Sequence, residues 1–326
     1  MTGVACALVL GSASQSVAAL KIGLVTDKGG KDDKSFNASA YRGLMQAKDI
    51  LKAQVKTVEA VDDNSFESLL RAFAEKDFDL VFAIGVSQAE ALKKVAAQFP
   101  KKKFAIVDAE VNLPNVRSLL FQEQEGSYLV GAIAAMTTRS GKVGFIGGMD
   151  IPLIRRFQMG YEAGARKINP KIKITANYVG VTIDAWNNPA KAKELATAQY
   201  QSGADVIFHA AGASGTGLFD AAEEQKTFSI GVDSTQNWRK PGRVLTSMLK
   251  RVDVAVLITA QDFSAGSFSG GVKRYGLENN GVDYALDENN QALLSAETKA
   301  KVDALKEQII QGKIHVPDYY QERKKK

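Results

Sequence analysis

Lys21-Ile22-Gly23-Leu24-Val25-Thr26 and Lys142-Val143-Gly144-Phe145-Ile146-Gly147-Gly148 decide how this chain is read. Each is a short apolar run leading through a loop into a helical pattern, which is how a strand enters a βαβ unit of a parallel sheet. Working outward, the first half adds expected strands at 55–61, 80–85 and 104–109, and the second half adds them at 172–180, 205–212 and 228–233. Corresponding starts lie about 120 positions apart, so one α/β layout is used twice.

At 326 residues, 45% apolar and 24% charged, the chain exceeds the size at which one core keeps growing, and two lobes are expected. The expected division places 21–121 with about 250–280 in one lobe and 122–249 in the other, leaving 281–326 as a C-terminal segment. Segments 116–121 and 243–249 read as crossings between lobes, each followed by an apolar helix, at 127–136 and 252–260. The tail, with a helix at 296–311, is expected to close one lobe.

The formal charge of +6 invites a nucleic-acid reading, but Lys324, Lys325 and Lys326 supply half of it and Lys101 to Lys103 follow Pro100 in an expected loop. No aromatic-interleaved basic stripe accompanies them, so they read as solvated surface and no nucleic acid is expected as a partner. Residues 1–20 lack charged side chains and run from an apolar stretch at 4–10 to small residues 16–19, which reads as an export signal. Its basic beginning is missing, as if the start were placed too late. Cys6, the single cysteine, is a candidate lipid site, although Gly3-Val4-Ala5-Cys6 lacks the expected leucine. With the signal removed no thiol remains for disulfide or thiolate chemistry.

Two lobes with parallel sheets bind ligands beyond the carboxyl ends of their strands, where they face each other. Phe36 and Phe157 occupy matching places after the first strand of each half, each followed seven residues later by glycine, Gly43 and Gly164. Such a pair suits a flat heteroaromatic ring; alternatively each ring staples its helix to its own lobe. The fourth strands end in Asp108 and Asp233, acceptors for hydroxyl or ring N–H donors, or else caps for the next helix. Gly85 and Gly212 at the third strand ends allow close backbone approach to a ligand. Lys250 is expected beside the hinge near Asp233, donating to sugar oxygens or simply solvated. Trp186 walls the cleft or packs the Pro189 turn.

Asp32-Asp33-Lys34-Ser35-Phe36-Asn37, Gly147-Gly148-Met149 with Arg156 to Tyr161, Trp186 to Lys191, Gly215-Thr216-Gly217 and Gly231-Val232-Asp233-Ser234 resemble the basic membrane protein (BMP) family of substrate-binding proteins, over 21 to about 317. The resemblance implies a type I periplasmic-binding-protein fold with two Rossmann-like lobes. It implies a monomer at the periplasmic or outer face of the cell envelope that delivers a purine nucleoside (adenosine, guanosine or inosine) to an ABC permease. Base stacking carries over to Phe36, and polar contacts to Asn37, Asp108, Asp233 and Lys250. Phe157 as second ring rests on the offset. The family pattern leads one to expect a more neutral polar residue where His209 stands, and relatives that bind riboflavin or other small molecules leave the cargo open.

An enzyme needs a reactive constellation, and the usual ones are missing. There are two histidines, and H-E-x-x-H, C-x-x-C, G-x-S-x-G and the phosphate-binding G-x-x-x-x-G-K-[ST] are all absent. Gly212 to Gly217 is glycine-rich without dinucleotide spacing. No catalytic residue, metal or cofactor is therefore expected. Opposed Asp108 and Asp233 leave nucleoside hydrolysis as the enzyme alternative, and a sensory role in the same fold as another.

Overall fold

The computed structural model describes residues 19–324. The export-signal reading, Cys6 included, falls almost wholly outside them.

The first half runs β1 (Lys21–Thr26), α1 (Phe36–Leu51), β2 (Gln54–Glu59), α2 (Ser65–Glu75), β3 (Leu80–Ile84), α3 (Ala89–Gln98), β4 (Lys103–Val107) and β5 (Val116–Phe121). The second runs α4 (Glu123–Thr137), β6 (Lys142–Met149), α5 (Pro152–Ile168), β7 (Lys173–Gly180), α6 (Pro189–Gln201), β8 (Val206–Ala210), α7 (Thr216–Glu224), β9 (Phe228–Asp233) and β10 (Val244–Lys250). Then follow α8 (Val252–Ser264), β11 (Gly271–Tyr275), β12 (Val282–Tyr284), α9 (Ala296–Ile310) and α10 (Tyr319–Lys324).

Two six-stranded sheets result, ordered β11-β5-β4-β3-β1-β2 and β12-β10-β9-β8-β6-β7. Pairings are parallel throughout except that β12 runs antiparallel to β10. The inner strands are buried along nearly their whole length, as parallel strands covered by helices on both faces must be.

Several boundaries differ from the sequence reading, for identifiable reasons. The expected strand at 55–61 starts and stops earlier, because the apolar Val61 lies 71% exposed in the following loop. Lys103 belongs to β4, pairing in register with Leu80. Segments 116–121 and 243–249 are not crossings: as β5 and β10 they pair with β4 and β9. The chain changes lobes immediately after them. The helix expected from residue 127 begins at Glu123, since its polar first turn, Glu123 and Gln124, is buried. The tail serves both lobes, giving β11 to one sheet and β12 to the other.

The crossings exchange helices between the lobes. The helix α4, which follows β5 of the first sheet, packs on α5, and α8, which follows β10 of the second, packs on α1. Both contacts need bare backbone. A Cβ on Gly43 would lie 2.3 Å from the Asp253 carbonyl oxygen, and one on Gly164 would lie 1.9 Å from that of Tyr128. Gly131 and Gly160 add equivalent approaches to Tyr161 and Gln124. Neither helix can move aside without leaving its sheet, so Gly164→Val is expected to cost about 3 kcal/mol. A urea unfolding midpoint equal to that of the native chain would refute this packing.

Candidate functional site

The β1–α1 loop is organised by Asp33. Its carboxylate accepts the backbone N–H groups of Ser35 (2.8 Å), Asn37 (2.9 Å) and Ala38 (2.9 Å), satisfying donors that a helix start leaves open. Ser35 therefore need not cap the helix with its side chain, and its hydroxyl instead donates to Asp233 of the other lobe at 2.5 Å. Phe36, the first residue of α1, is thereby set at the cleft.

Between the lobes lies a cavity. Its walls include Phe36, Asn37, Gly85 and Asp108 from the first lobe and Phe157, Trp186, Gly212, Asp233 and Lys250 from the second. Each residue expected from the sequence to bind ligand thus lines one space. Asp27, Asp33, Val86, Ser87, Leu153 and Ile154 also line it. The lobes are in contact around it. Arg42 donates to Ser234 (3.0 Å), Gln236 donates to the Lys34 carbonyl (3.1 Å), and Lys28 pairs with Asp184.

Asp108 and Asp233 match in backbone as well as position, with φ of 72° and 66°, in a left-handed region that non-glycine residues seldom occupy. Neither accepts a helix-capping N–H, so the capping alternative does not hold. Nor is Lys250 solvated. It is 1% exposed, donates to Asp108 at 2.6 Å and lies 3.0 Å from Glu123. Its ammonium is 5.0, 5.2 and 5.5 Å from the ring centroids of Phe36, Phe121 and Phe157. Phe157 both lines the cavity and belongs to the core, while Trp186 covers Gly148 so tightly that a Cβ there would fall 2.1 Å from its ring.

Charge in this space is unevenly balanced. Burial raises the Asp233 carboxyl to about 7 against the pull of Lys250 and the Ser35 hydroxyl, and raises Asp27 to about 6. Burial also raises Asp108, despite Lys250 beside it. Burial opposes the Lys250 charge, but Asp108, Glu123 and Asp233 outweigh it and hold its pKa above the usual lysine value. With three carboxylates around one ammonium, the lysine stays charged and any extra proton goes to a carboxyl. His209 lies outside the cavity walls. Burial lowers it to about 4, so it acts as a neutral polar group bonded to Gln236 at 3.1 Å.

Sequence reasoning missed Asp27, Glu123 and Arg156. Asp27 directly follows β1, so the strand-end rule applied to the fourth strands would have found it. Glu123 and Arg156 carried no such signal. Arg156 donates to Glu123 (2.9 Å), Gln122 (2.7 Å), the Phe121 carbonyl (2.5 Å) and Asp318 (2.8 Å), tying α5 to the first crossing and to the tail.

Two lobes that meet over a polar-ended aromatic cavity, joined by crossing segments, define a solute-binding protein. The chain belongs to the Bmp family, described as ABC transporter substrate-binding protein PnrA-like, whose profile matches residues 20–319. It is 37% identical to the ABC transporter nucleoside-binding protein BmpA of Lactococcus lactis, over 91% of this chain and 89% of that one. It is 35% identical to basic membrane protein A of Borreliella burgdorferi, over 91% and 87%. Among solved structures, an ABC transporter solute-binding protein from Aeropyrum pernix superposes with a TM-score of 0.84 at 30% identity, covering 91% of this chain and 94% of that one. The arabinose-binding AraP of Geobacillus stearothermophilus, at 14% identity and a TM-score of 0.64 over 85% of this chain and all of that one, shares the fold alone. The fold is thus the type I periplasmic-binding-protein fold. The family consists of substrate-binding proteins and not enzymes, which sets aside the hydrolase alternative.

The raised Asp233 fixes a sign for pH dependence in the ligand-free protein. Between its unfolded value of 3.8 and about 7, the folded state holds a proton that the unfolded state releases, so stability falls as pH rises through that window. Asp233→Asn removes this contribution. Its stability relative to the native chain should rise by more than about 1 kcal/mol from about pH 4 to about pH 8 in urea titrations; a constant difference would contradict the assignment.

Proposed function

We propose that the protein captures a purine nucleoside between its lobes, outside the cytoplasmic membrane, and delivers it as a monomer to an ABC permease. The observation that carries this reading is the convergence of duplicated residues: Phe36 with Phe157, and Asp108 with Asp233, reach one cavity from lobes built alike. The rings take the faces of the base, and Trp186 closes the side wall. The carboxylates and Lys250 take the ribose hydroxyls, and Gly85 and Gly212 let backbone approach. The description of the Lactococcus relative as nucleoside-binding supports the same cargo. Adenosine, guanosine and inosine share the required ring and sugar.

Export by the leader at 1–20 belongs to this proposal; among the described residues no helix is long and apolar enough to cross a membrane. Ligand draws the lobes together about the crossings, because the closed arrangement makes contacts the open one lacks, and the permease reads that arrangement.

Titration calorimetry with inosine tests the reading, followed by chromatography of the released ligand, which should come back intact. Phe36→Ala is expected to weaken binding by about 1–3 kcal/mol through lost base stacking. Undiminished affinity in that variant, or release of free hypoxanthine at enzymatic rates, would overturn it.

A further inference from the structure

Gln236, between β9 and β10, is 1% exposed and lies outside the cavity walls, yet its side chain bonds to both lobes. Its Oε1 accepts the Val232 N–H at 2.8 Å, and because a backbone N–H can only donate, that bond fixes which end of the amide is oxygen. The amide nitrogen therefore faces the other way and donates to the Lys34 carbonyl of the first lobe at 3.1 Å. The backbone N–H of Gln236 donates to the Ser247 hydroxyl at 2.9 Å, so main chain and side chain are both held within the second lobe.

His209 completes the hold. Its Nε2 lies 3.1 Å from the same Oε1, an atom that only accepts, so Nε2 carries the ring proton and donates. The ring is boxed in: a Cβ on Gly215 would fall 1.9 Å from its Cε1, and Phe219 meets it edge to face with centroids 5.3 Å apart. On the opposite lobe Lys34 has a φ of 57°, a left-handed conformation kept by the turn that Asp33 ties to the start of α1, while its side chain is exposed. Lys34 thus brings its carbonyl, not its ammonium, to the contact.

We propose that the Gln236 amide latches the closed arrangement and slows ligand release, and that His209 is the residue that positions it. This rests on the capture reading above. Other contacts between the lobes are less suited to the task. Lys28 with Asp184 and Arg42 with Ser234 reach across with exposed lysine and arginine side chains, where water competes, and Ser35 bonds to Asp233, which the guest also claims. Neither Gln236 nor Lys34 lines the cavity, so their bond forms whatever the cleft holds. A contact made only after the lobes have met cannot speed the encounter with ligand; it acts on release.

Stopped-flow tryptophan fluorescence with inosine tests this, since Trp186 stands in the cavity wall. The observed rate plotted against inosine concentration gives association from its slope and release from its intercept. Gln236→Glu keeps an acceptor for Val232 and His209 but turns a second acceptor toward the Lys34 carbonyl. At about pH 8 its release should be about tenfold faster, the scale of one lost hydrogen bond, with association no slower than in the native chain. His209→Leu should speed release about threefold, and His209→Gln, which restores an N–H where Nε2 stood, should return it to the native rate. Native release in Gln236→Glu overturns the proposal, as does a fall in association by the same factor, which marks general damage to the fold. Should Gln236→Glu not fold, the two His209 variants decide, and equal release from both overturns the proposal. If the native chain does not bind inosine, the nucleoside reading fails and takes the latch with it. If it binds and release is indifferent to both positions, only the latch fails.

Discussion

The ammonium of Lys250, buried where the chain changes lobes, is the contact on which the rest of the arrangement depends. Lys250 ends β10 just before the return crossing, and Glu123 opens α4 just after the outward one. Their 3.0 Å pair therefore ties the two crossings to each other, and the 2.6 Å bond to Asp108 ties both to the first sheet. Taking an ammonium out of water costs several kcal/mol, which a single carboxylate repays only partly. Its value here is positional. With Lys250 on a neutral side chain, Asp108 and Glu123 would be left buried with their charge uncompensated, apart from what Arg156 gives Glu123. Arg156 extends the same cluster to Asp318 in the tail, so the C-terminal residues are linked to the hinge through charge.

Duplication explains why the site is so well enclosed. Phe36 and Phe157, Gly43 and Gly164, and Asp108 and Asp233 correspond between the halves, and their local physics repeats: a ring on the helix after the first strand (the first residue of α1, the sixth of α5), a bare glycine seven residues later, a carboxylate at left-handed φ. The glycines matter to function because each admits the helix donated by the other lobe. Those exchanged helices, α4 on α5 and α8 on α1, begin at the crossings. Rotation of the lobes therefore falls on the few residues between strand and helix at these crossings and on the connection between β11 and β12, which also passes from one sheet to the other, and the rings and carboxylates are carried along with their lobes.

Much of this could be read from the sequence, because strand ends announce themselves. Apolar runs that stop at Asp108, Gly85, Gly212 or Asp233 mark the carboxyl edge of a sheet, and two sheets imply a shared space in front of them. What escaped notice depends on the third dimension. Segments 116–121 and 243–249 are apolar enough for strands, but only their pairing with β4 and β9 distinguishes a strand from a crossing. Glu123 looks like an ordinary polar residue before an apolar helix, and its burial is explained only by Lys250 and Arg156, 127 and 33 positions away. The sequence left Trp186 either walling the cleft or packing the Pro189 turn; the side chain lines the cavity and packs on Gly148, a contact the sequence did not suggest.

The charge pattern also bears on what the cavity rejects. Asp27, Asp33, Asp108 and Asp233 face it against a single lysine, and burial pushes each of these carboxyls up toward protonation. A phosphate brought among them would meet acceptors where it needs donors, with Lys250 already engaged by Asp108 and Glu123. A neutral guest rich in hydroxyl and N–H donors meets the opposite situation, because each donor stabilises an ionised carboxylate that burial alone disfavours. On the nucleoside reading, discrimination against nucleotides thus follows from the same desolvation that raises the carboxyls, without a dedicated steric barrier.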